Sequence, residues 1–423
     1  MGNEFDSIDV KGANRQICIP CSQEKYAEIF EDTHAFRLYL DQLYKQFPEI
    51  FPKGMENGYC FNGKQAESKK IPGFQLRTIL IKTDDYGSVF YTIRPSFVLP
   101  YTKGLTFDVE KALFIMKFGV PMWAITYVFG RNDSYWERLK LSLGRNSIVG
   151  TTVKDPEKIP TNISADEKHT SLKGEKVYVA TTVGNNCVLG ASVSESAGTK
   201  DLTEAYGIFR DEAQNVNPDY QTESANFDGW EPTSKAWYYL FPRINIITCF
   251  LHAYMSIRRK CGKKKFQAIL NIIGDKVWTT YKAETKRCFS QRIRRLREWA
   301  KKNLSKDDCK EILSKVMSLC SKKESFLKSF DIPGAHRTSN MVDRLMRWQD
   351  EFLFNRQYFH GSLGSAELAI RSWAILTNFC PLSPRALGKN ATLMSPAERL
   401  NGFKYRDNWL ENLLISASLG GYT

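Results

Sequence analysis

Residues 163–248 constrain the fold of this chain more than any other stretch. ISADEKHTSLKGEKVYVATTVGNNCVLGASVS, residues 163–194, reads as three short strands, around Ile163–Glu167, Lys176–Val183 and Cys187–Ser194. Lys173–Gly174 and Gly184–Asn186 supply the turns between them. DLTEAYGIFRDEAQ (201–214) then has the spacing of an amphipathic helix. TESANFDGWEPTSKAWYYLF follows with a strand ending at Asp228, a tight turn at Gly229, and a helix carrying Ala236, Trp237 and Leu240 on one side. A fifth strand, INIIT, reaches Cys249. The order is three antiparallel strands, a helix, a strand, a helix and a strand.

That order is the ribonuclease-H-like arrangement, in which an acid on the first strand lies beside an acid at the end of the fourth. Asp166 and Asp228 occupy those two places. Two-metal phosphoryl transfer requires carboxylates that converge from distant parts of the chain to hold divalent ions about 4 Å apart. The expected cofactor is Mg²⁺, or Mn²⁺ in its place. A third carboxylate is expected from a later helix on the same sheet, and GAHRTSNMVDRLMRWQDEFLFNRQYF (334–359) offers Asp343 one turn past a cap at Ser339 or Asn340. Asp350 and Glu351 are the rivals, about two turns or 10 to 12 Å further along the axis. Seven residues bring Asp350 back to the face of Asp343, whereas Glu351 is turned away.

The formal net charge of +14 points to a polyanionic partner, and its placement is more informative than its size. Between Tyr254 and Lys302 stand sixteen Lys and Arg against Asp275, Glu284 and Glu298, so one segment carries nearly the whole excess. Residues 254–330 lack strand alternation and contain helical repeats such as QRIRRLREWAKKNL, where Ile293, Leu296 and Trp299 or Ala300 make one apolar stripe. Arg258, Arg259, Lys260, Lys263, Lys264, Lys265, Arg292, Arg294, Arg295 and Arg297 are the expected phosphate contacts there, sensitive to salt and indifferent to base sequence. The basic helices lack the broad apolar face of a membrane-surface helix, and no apolar run reaches the roughly 18 residues of a bilayer span.

Upstream, LTFDVEKALFIMKFGVPMWAITYVFGRNDSYWERLKLSLG (105–144) breaks a helical pattern at Gly119 and restarts it at Val120–Pro121, a helix–turn–helix arrangement. A later helix is expected after Asp133 or Ser134 as cap. Arg131, Arg138, Lys140 and Arg145 are its candidate phosphate contacts. TTVKDPEKIP (151–160) reads as a linker. The first hundred residues mix helical patterns (24–47) with strand-like runs (74–83 and 87–100), as in a small α+β domain. Cys18 and Cys21 have the spacing of half a zinc site, with Cys60 or His34 as further donors, but no second ligand pair follows. The start MGNEFDSIDV has no signal-peptide pattern and the ten cysteines are irregularly spread, so reduced thiols and a cytoplasmic location are expected.

SADEKHT around Asp166, NFDGW around Asp228, CFLH at Cys249–His252 and RTSNMVDR around Asp343 together resemble the DDE/D transposases of bacterial and archaeal insertion sequences, in their Mutator-like branch. The resemblance covers roughly residues 105–415 and includes SPAERLNGF and NWLENLLISASLG. It departs at the third acid, where Asp343 stands in place of the usual Glu. It implies a C-x-x-H pair just ahead of an all-helical insertion that splits the catalytic core. Three functional roles are open to Cys249 and His252, positioning the turn, contacting DNA or helping to bind a metal, beside the plain one of a buried thiol and a hydrogen-bonded imidazole. The resemblance further implies homo-oligomers on paired element ends. The expected divisions are an α+β domain at 1–104, a helix–turn–helix region at 105–150, the core at 151–253 and 333–423, and the basic insertion at 254–332. The expected reaction is hydrolysis at element ends and joining of the 3′-hydroxyl to target DNA. The alternatives are a nuclease of the same fold without strand transfer, and an idle transposase descendant that only binds DNA.

Overall fold

The computed structural model describes residues 15–83, 87–388 and 392–422, so the MGNEFDSIDV start lies outside the described residues. Two mixed sheets are flanked by helices. The smaller contains β1 (Gln16–Ile19), β2 (Tyr59–Lys64), β3 (Arg77–Thr83) and β4 (Gly87–Pro95) in the order β1-β4-β3-β2, with β1 parallel to β4. Two helices, Gln23–Ile29 and Thr33–Gln46, complete this α+β unit.

The larger sheet contains β5 (Asn162–Leu172), β6 (Glu175–Gly184), β7 (Cys187–Ser194), β8 (Ser224–Phe227) and β9 (Asn245–Thr248), in the order β7-β6-β5-β8-β9. Both hairpins close through two-residue turns whose central residues all take positive φ: Lys173 and Gly174 at 53° and 88°, Asn185 and Asn186 at 48° and 64°. Such turns match the twist of paired strands, and Gly and Asn tolerate the left-handed region best. β8 and β9 run parallel to β5, and the helices Thr199–Val216 and Glu231–Leu240 make the crossovers. The arrangement is compatible with ribonuclease-H-like superfamily architecture.

Alternation along β5 separates the two faces of this sheet. Ile163 and Ala165 join a core with Leu202, Phe209 and Trp237 of the crossover helices. On the other face Val177, Val179 and Val183 of β6 pack with Val342 and Phe352 of the helix Asn340–Asn355, and with Ile370 and Trp373 of the helix Leu363–Phe379. That second core continues without a break into Ile17, Phe36 and Ile79 of the N-terminal unit. The backbone N–H of Cys18 donates to Ser418 Oγ at 3.0 Å, and Ser418 Oγ donates to the carbonyl of Ile50 at 2.6 Å.

Helices at Glu110–Met116, Met122–Phe129 and Asp133–Leu143 occupy the expected helix–turn–helix region, with the break at Gly119. The last is capped by Asn132, whose side chain accepts from Tyr135 N, rather than by Asp133 or Ser134. The 151–160 linker expectation is corrected. Ile148–Thr152 is a fully buried helical turn, and the carboxylate of Glu212 accepts from the N–H groups of Ile148 at 2.6 Å and Val149 at 3.0 Å. Pro156 opens a short helical turn, Pro156–Lys158, and Pro160 lies just ahead of β5, while the TTV segment before them is buried.

Between Phe250 and Phe330 the described chain is helical and has its own core of Ile257, Val277, Ile293, Leu296 and Val316. The helix Lys286–Asn303 buries Phe289, Ile293, Leu296 and Ala300 and turns its charges outward, as expected from its stripe. No helix among the described residues is long and apolar enough to cross a membrane.

Arg371 ties these parts together. Its guanidinium donates to the carbonyls of Gly144 and Asn146, each at 2.9 Å, and pairs with Glu212, both side chains being 6% exposed. Removing one partner of a buried pair strands the other charge away from water. Arg371→Met is expected to lower unfolding free energy by about 3–5 kcal/mol, measured by denaturant titration.

Candidate active site

Parallel pairing sets the first two acids side by side. Ser164 stands opposite Asn226 across β5 and β8. Asp166 lies two residues beyond that pair within β5 and Asp228 two residues beyond it, one past the last residue of β8, so the parallel strands bring both acids to the same end of the ladder. Asp228 is exposed just past the end of β8, where its carboxylate accepts from the N–H of Trp230 at 2.8 Å. Gly229 takes φ 88°, and a Cβ there would meet Thr248 Cγ2 at 3.2 Å, so the turn beside Asp228 favours glycine on both counts.

Asp343 arrives from the other direction, in the first turn of the helix Asn340–Asn355. Its charge and that of Asp228 both bear on Asp166. Burial pushes the Asp166 carboxyl up to about 6, with repulsion from Asp228 next in size and a smaller contribution from Asp343. Both rivals have other engagements. Asp350 pairs with Lys168 at 2.6 Å, two residues along the same face of β5, and Glu351 pairs with Arg347 at 3.4 Å.

The Cys249–His252 pair grips the turn that carries Asp343. Cys249 is fully buried, follows β9 directly and caps the helix Phe250–Lys260 by accepting from His252 N at 3.5 Å. The same sulfur accepts from Ser339 N at 3.2 Å. Ser339 Oγ donates to Asp343 Oδ2 at 2.9 Å, which uses its single proton. His252 Nδ1, 3.2 Å from that oxygen, must then be the donor to it. The bond to Cys249 comes first in raising His252 to about 9, against the cost of burial and with help from Cys249, Asp343 and Asp166. Burial pushes the Cys249 thiol up, but the bonds from His252 and Ser339 outweigh it and leave the thiol below its ordinary value. Two further bonds close the junction, from Phe250 N to the carbonyl of Arg337 at 3.1 Å and from Asn226 Nδ2 to that of His336 at 2.9 Å.

Sequence reasoning misses several of these groups. Glu167 is directed to the opposite face from Asp166, where Tyr206 Oη donates to it at 2.7 Å and Thr233 Oγ1 at 2.6 Å. Burial pushes Glu167 up to about 7 despite those bonds. Strand alternation alone could have separated the two acids of SADEKHT, but its partners come from two helices far along the chain. Ser339, expected as a helix cap, instead commits its hydroxyl to Asp343. Lys322, from the insertion, lies near the Asp228 turn, with Nζ 3.7 Å from where a Gly229 Cβ would stand.

Most of the expected basic contacts are exposed: Arg131, Arg138, Arg258, Arg259, Lys260, Lys263, Lys264, Lys265, Arg294, Arg295 and Arg297. Lys260, Lys265 and Arg294 are shared with Glu311, Asp308 and Glu298, and the half-buried Arg292 donates to the carbonyl of Thr279. Lys140 is a correction to the expected phosphate contacts. It is 3% exposed and bound to Glu137 at 2.7 Å, because the face of its helix that carries it packs inward. Cys18 and Cys21 are buried thiols, and all ten cysteines are free.

No family model matches the chain, and no curated protein matches it. Among the described residues no group of three or more His, Cys, Asp and Glu side chains is gathered closely enough to hold a metal ion. The aspartates nevertheless suit a hard divalent cation chemically, since carboxylate oxygens are its preferred donors. Burial is the main cause that lifts Asp166, and the Asp228 charge that adds to it is the kind a cation between them would relieve.

The sign of the Asp166 shift gives a prediction. An unfolded aspartate titrates near 3.9, and the folded one at about 6, so the native state holds the proton more tightly. The contribution is fully present below about pH 4 and is lost as pH rises through 6. In metal-free buffer, Asp166→Asn should therefore lose less stability than the parent between pH 4 and 7, a difference of about 2–3 kcal/mol. Thermal unfolding across that range checks it.

Proposed function

We propose that this protein is a metal-dependent polynucleotidyl transferase of the DDE/D type, a DNA transposase acting on element ends. The reading is supported by one observation: Asp228 directly follows β8, the parallel neighbour of the strand that carries Asp166, and its charge and that of Asp343 on a separate helix both bear on Asp166. Asp166, Asp228 and Asp343 would hold Mg²⁺ or Mn²⁺, which supplies charge neutralisation at the phosphate and an activated attacking oxygen.

The chain's own residues do the rest. Asp228, exposed at the strand end, meets the substrate side, and its bond from Trp230 N fixes one carboxylate oxygen. Ser339 holds Asp343 through Oδ2, and Cys249 and His252 hold Ser339, so the third acid is oriented before DNA arrives. The shorter reach of Asp compared with Glu at 343 is matched by a helix start pinned to the end of β9. Lys322 and the exposed cations of residues 254–302 supply positive charge beside the site for backbone phosphates. The same metal chemistry without joining would be that of a nuclease, and the end products separate the two.

In this reading DNA flanking the coding sequence, incubated with the protein and Mg²⁺, yields 3′-hydroxyl ends that become joined to a second DNA. Asp166→Asn and Asp228→Asn should each lower cleavage by on the order of a thousandfold, the equivalent of several kcal/mol of charge stabilisation, while DNA binding persists. End mapping with a gel-shift control checks this. Cleavage unaffected by either substitution would sink the assignment.

A further inference from the structure

A second basic site lies apart from the aspartates. A cavity of about 270 Å³ opens where the N-terminal sheet, the helix Asp133–Leu143 and the C-terminal helices meet. Arg94 of β4, Lys103, Arg138 and Arg145 all line it, and none of its lining residues is acidic. None of the four cations makes an ion pair among the described residues. Proteins seldom gather like charges in a recess without a counter-charge, because each one raises the cost of the next.

Arg94 is the most telling of them. It is 3% exposed, Nη1 is spent on the carbonyl of Val98, and Nε is buried with no hydrogen-bond partner. A buried guanidinium with an unanswered N–H is costly unless something else satisfies it. Glu411, whose charge bears on the strand neighbour Cys18, is already taken by Ser96 Oγ at 2.6 Å and Arg406 at 3.3 Å. Lys103 is held below its ordinary value by burial first, then by Arg145, Lys70 and Arg138, so the field in the recess is positive. Leu141, Leu368 and Leu414 make an apolar wall, suited to the sugar beside a phosphate rather than to a hydrated cluster of water.

We propose that this recess is a phosphate-binding pocket in which Arg94, Lys103, Arg138 and Arg145 together hold a phosphoryl group. Its source is the backbone of bound DNA, with a small phosphate compound as the other supplier of the same chemistry. The DNA source rests on the function proposed above; the pocket does not. Arg138 also lines the larger cleft of about 780 Å³ beside Trp123 and Arg356, so a strand seated in the recess has a charged path onward over the helix–turn–helix region. The pocket would give the N-terminal unit a task, since Arg94 and Lys103 come from its edge.

The test uses the full chain carrying Asp166→Asn, so that no cleavage enters the measurement. Lys103→Ala with Arg145→Ala removes two cations that lie at least partly in solvent and leaves the fold intact; Arg94→Met is the buried counterpart, read only if its unfolding curve matches the parent. Two probes are used: affinity for a short DNA duplex across a salt series, and broadening of the ³¹P resonance of inorganic phosphate. The double variant is expected to bind duplex at least about tenfold more weakly, with the salt slope reduced by about 0.9 for each phosphate it no longer neutralises. Weakening confined to the duplex assigns the backbone as source. Disappearance of phosphate broadening with duplex binding unchanged assigns a small phosphate compound. If both probes behave alike in parent and variant, or the parent responds to neither, the pocket is overturned. If the chain with Asp166 intact cleaves no DNA while either effect is seen, the catalytic reading falls and this one stands.

Discussion

The parallel pairing of β5 with β8 is the interaction on which the rest of the site depends. Ladder hydrogen bonds between Asn162–Ser164 and Ser224–Asn226 bring two aspartates, sixty-two positions apart, to the same end of the paired strands, where the charge of Asp228 bears on Asp166. A slip of a single residue would turn one carboxylate into the core that Trp237 and Phe209 fill. That core and the layer of Val177, Val179 and Phe352 opposite it hold the register from both sides. The repulsion between Asp166 and Asp228 is therefore imposed on the strands by packing, and the strands cannot relieve it by moving apart.

Asp343 is held in a different way. The helix Asn340–Asn355 returns after an excursion through the helical insertion, and nothing in its own sequence fixes where it begins against the sheet. Cys249, immediately after β9, accepts from the backbone of Ser339, and Ser339 in turn holds the carboxylate of Asp343. Both ends of the insertion are thus closed on one buried sulfur. Further down the same helix, Lys168 and Asp350 join strand to helix again, and Gln349 donates to Thr181 Oγ1 at 3.0 Å. The N-terminal unit is joined to this frame through a continuous core and Ser418, so the recess around Arg94 is bounded by groups from both ends of the chain.

Much of this is legible in the amino-acid order. The two hairpin turns, the break at Gly119 and the apolar stripe through Ile293 and Leu296 follow from periodicity and turn chemistry, which are local properties of the backbone. The readings that fail are those in which local composition is outvoted by packing. TTVKDPEKIP has the prolines of a linker, yet Thr151 is buried against Gly421 and Thr152 is bonded to Asn378 and Asn401. Lys140 sits among exposed arginines in the sequence, but its helical face is the one that meets Phe352 and Glu137.

What the sequence by itself determined is the order of elements, the strand alternation that puts Asp166 and Glu167 on opposite faces, and the concentration of positive charge in residues 254–302. Only the tertiary structure decided that Cys249 and His252 hold Ser339, that Glu167 is answered by Tyr206 and Thr233, and that Arg94 meets Lys103 and Arg145 across one recess. The reason is physical: periodicity is set by bonds a few residues apart, whereas these pairings join segments dozens to hundreds of residues apart, and their partners are chosen by which surfaces the packed core brings together.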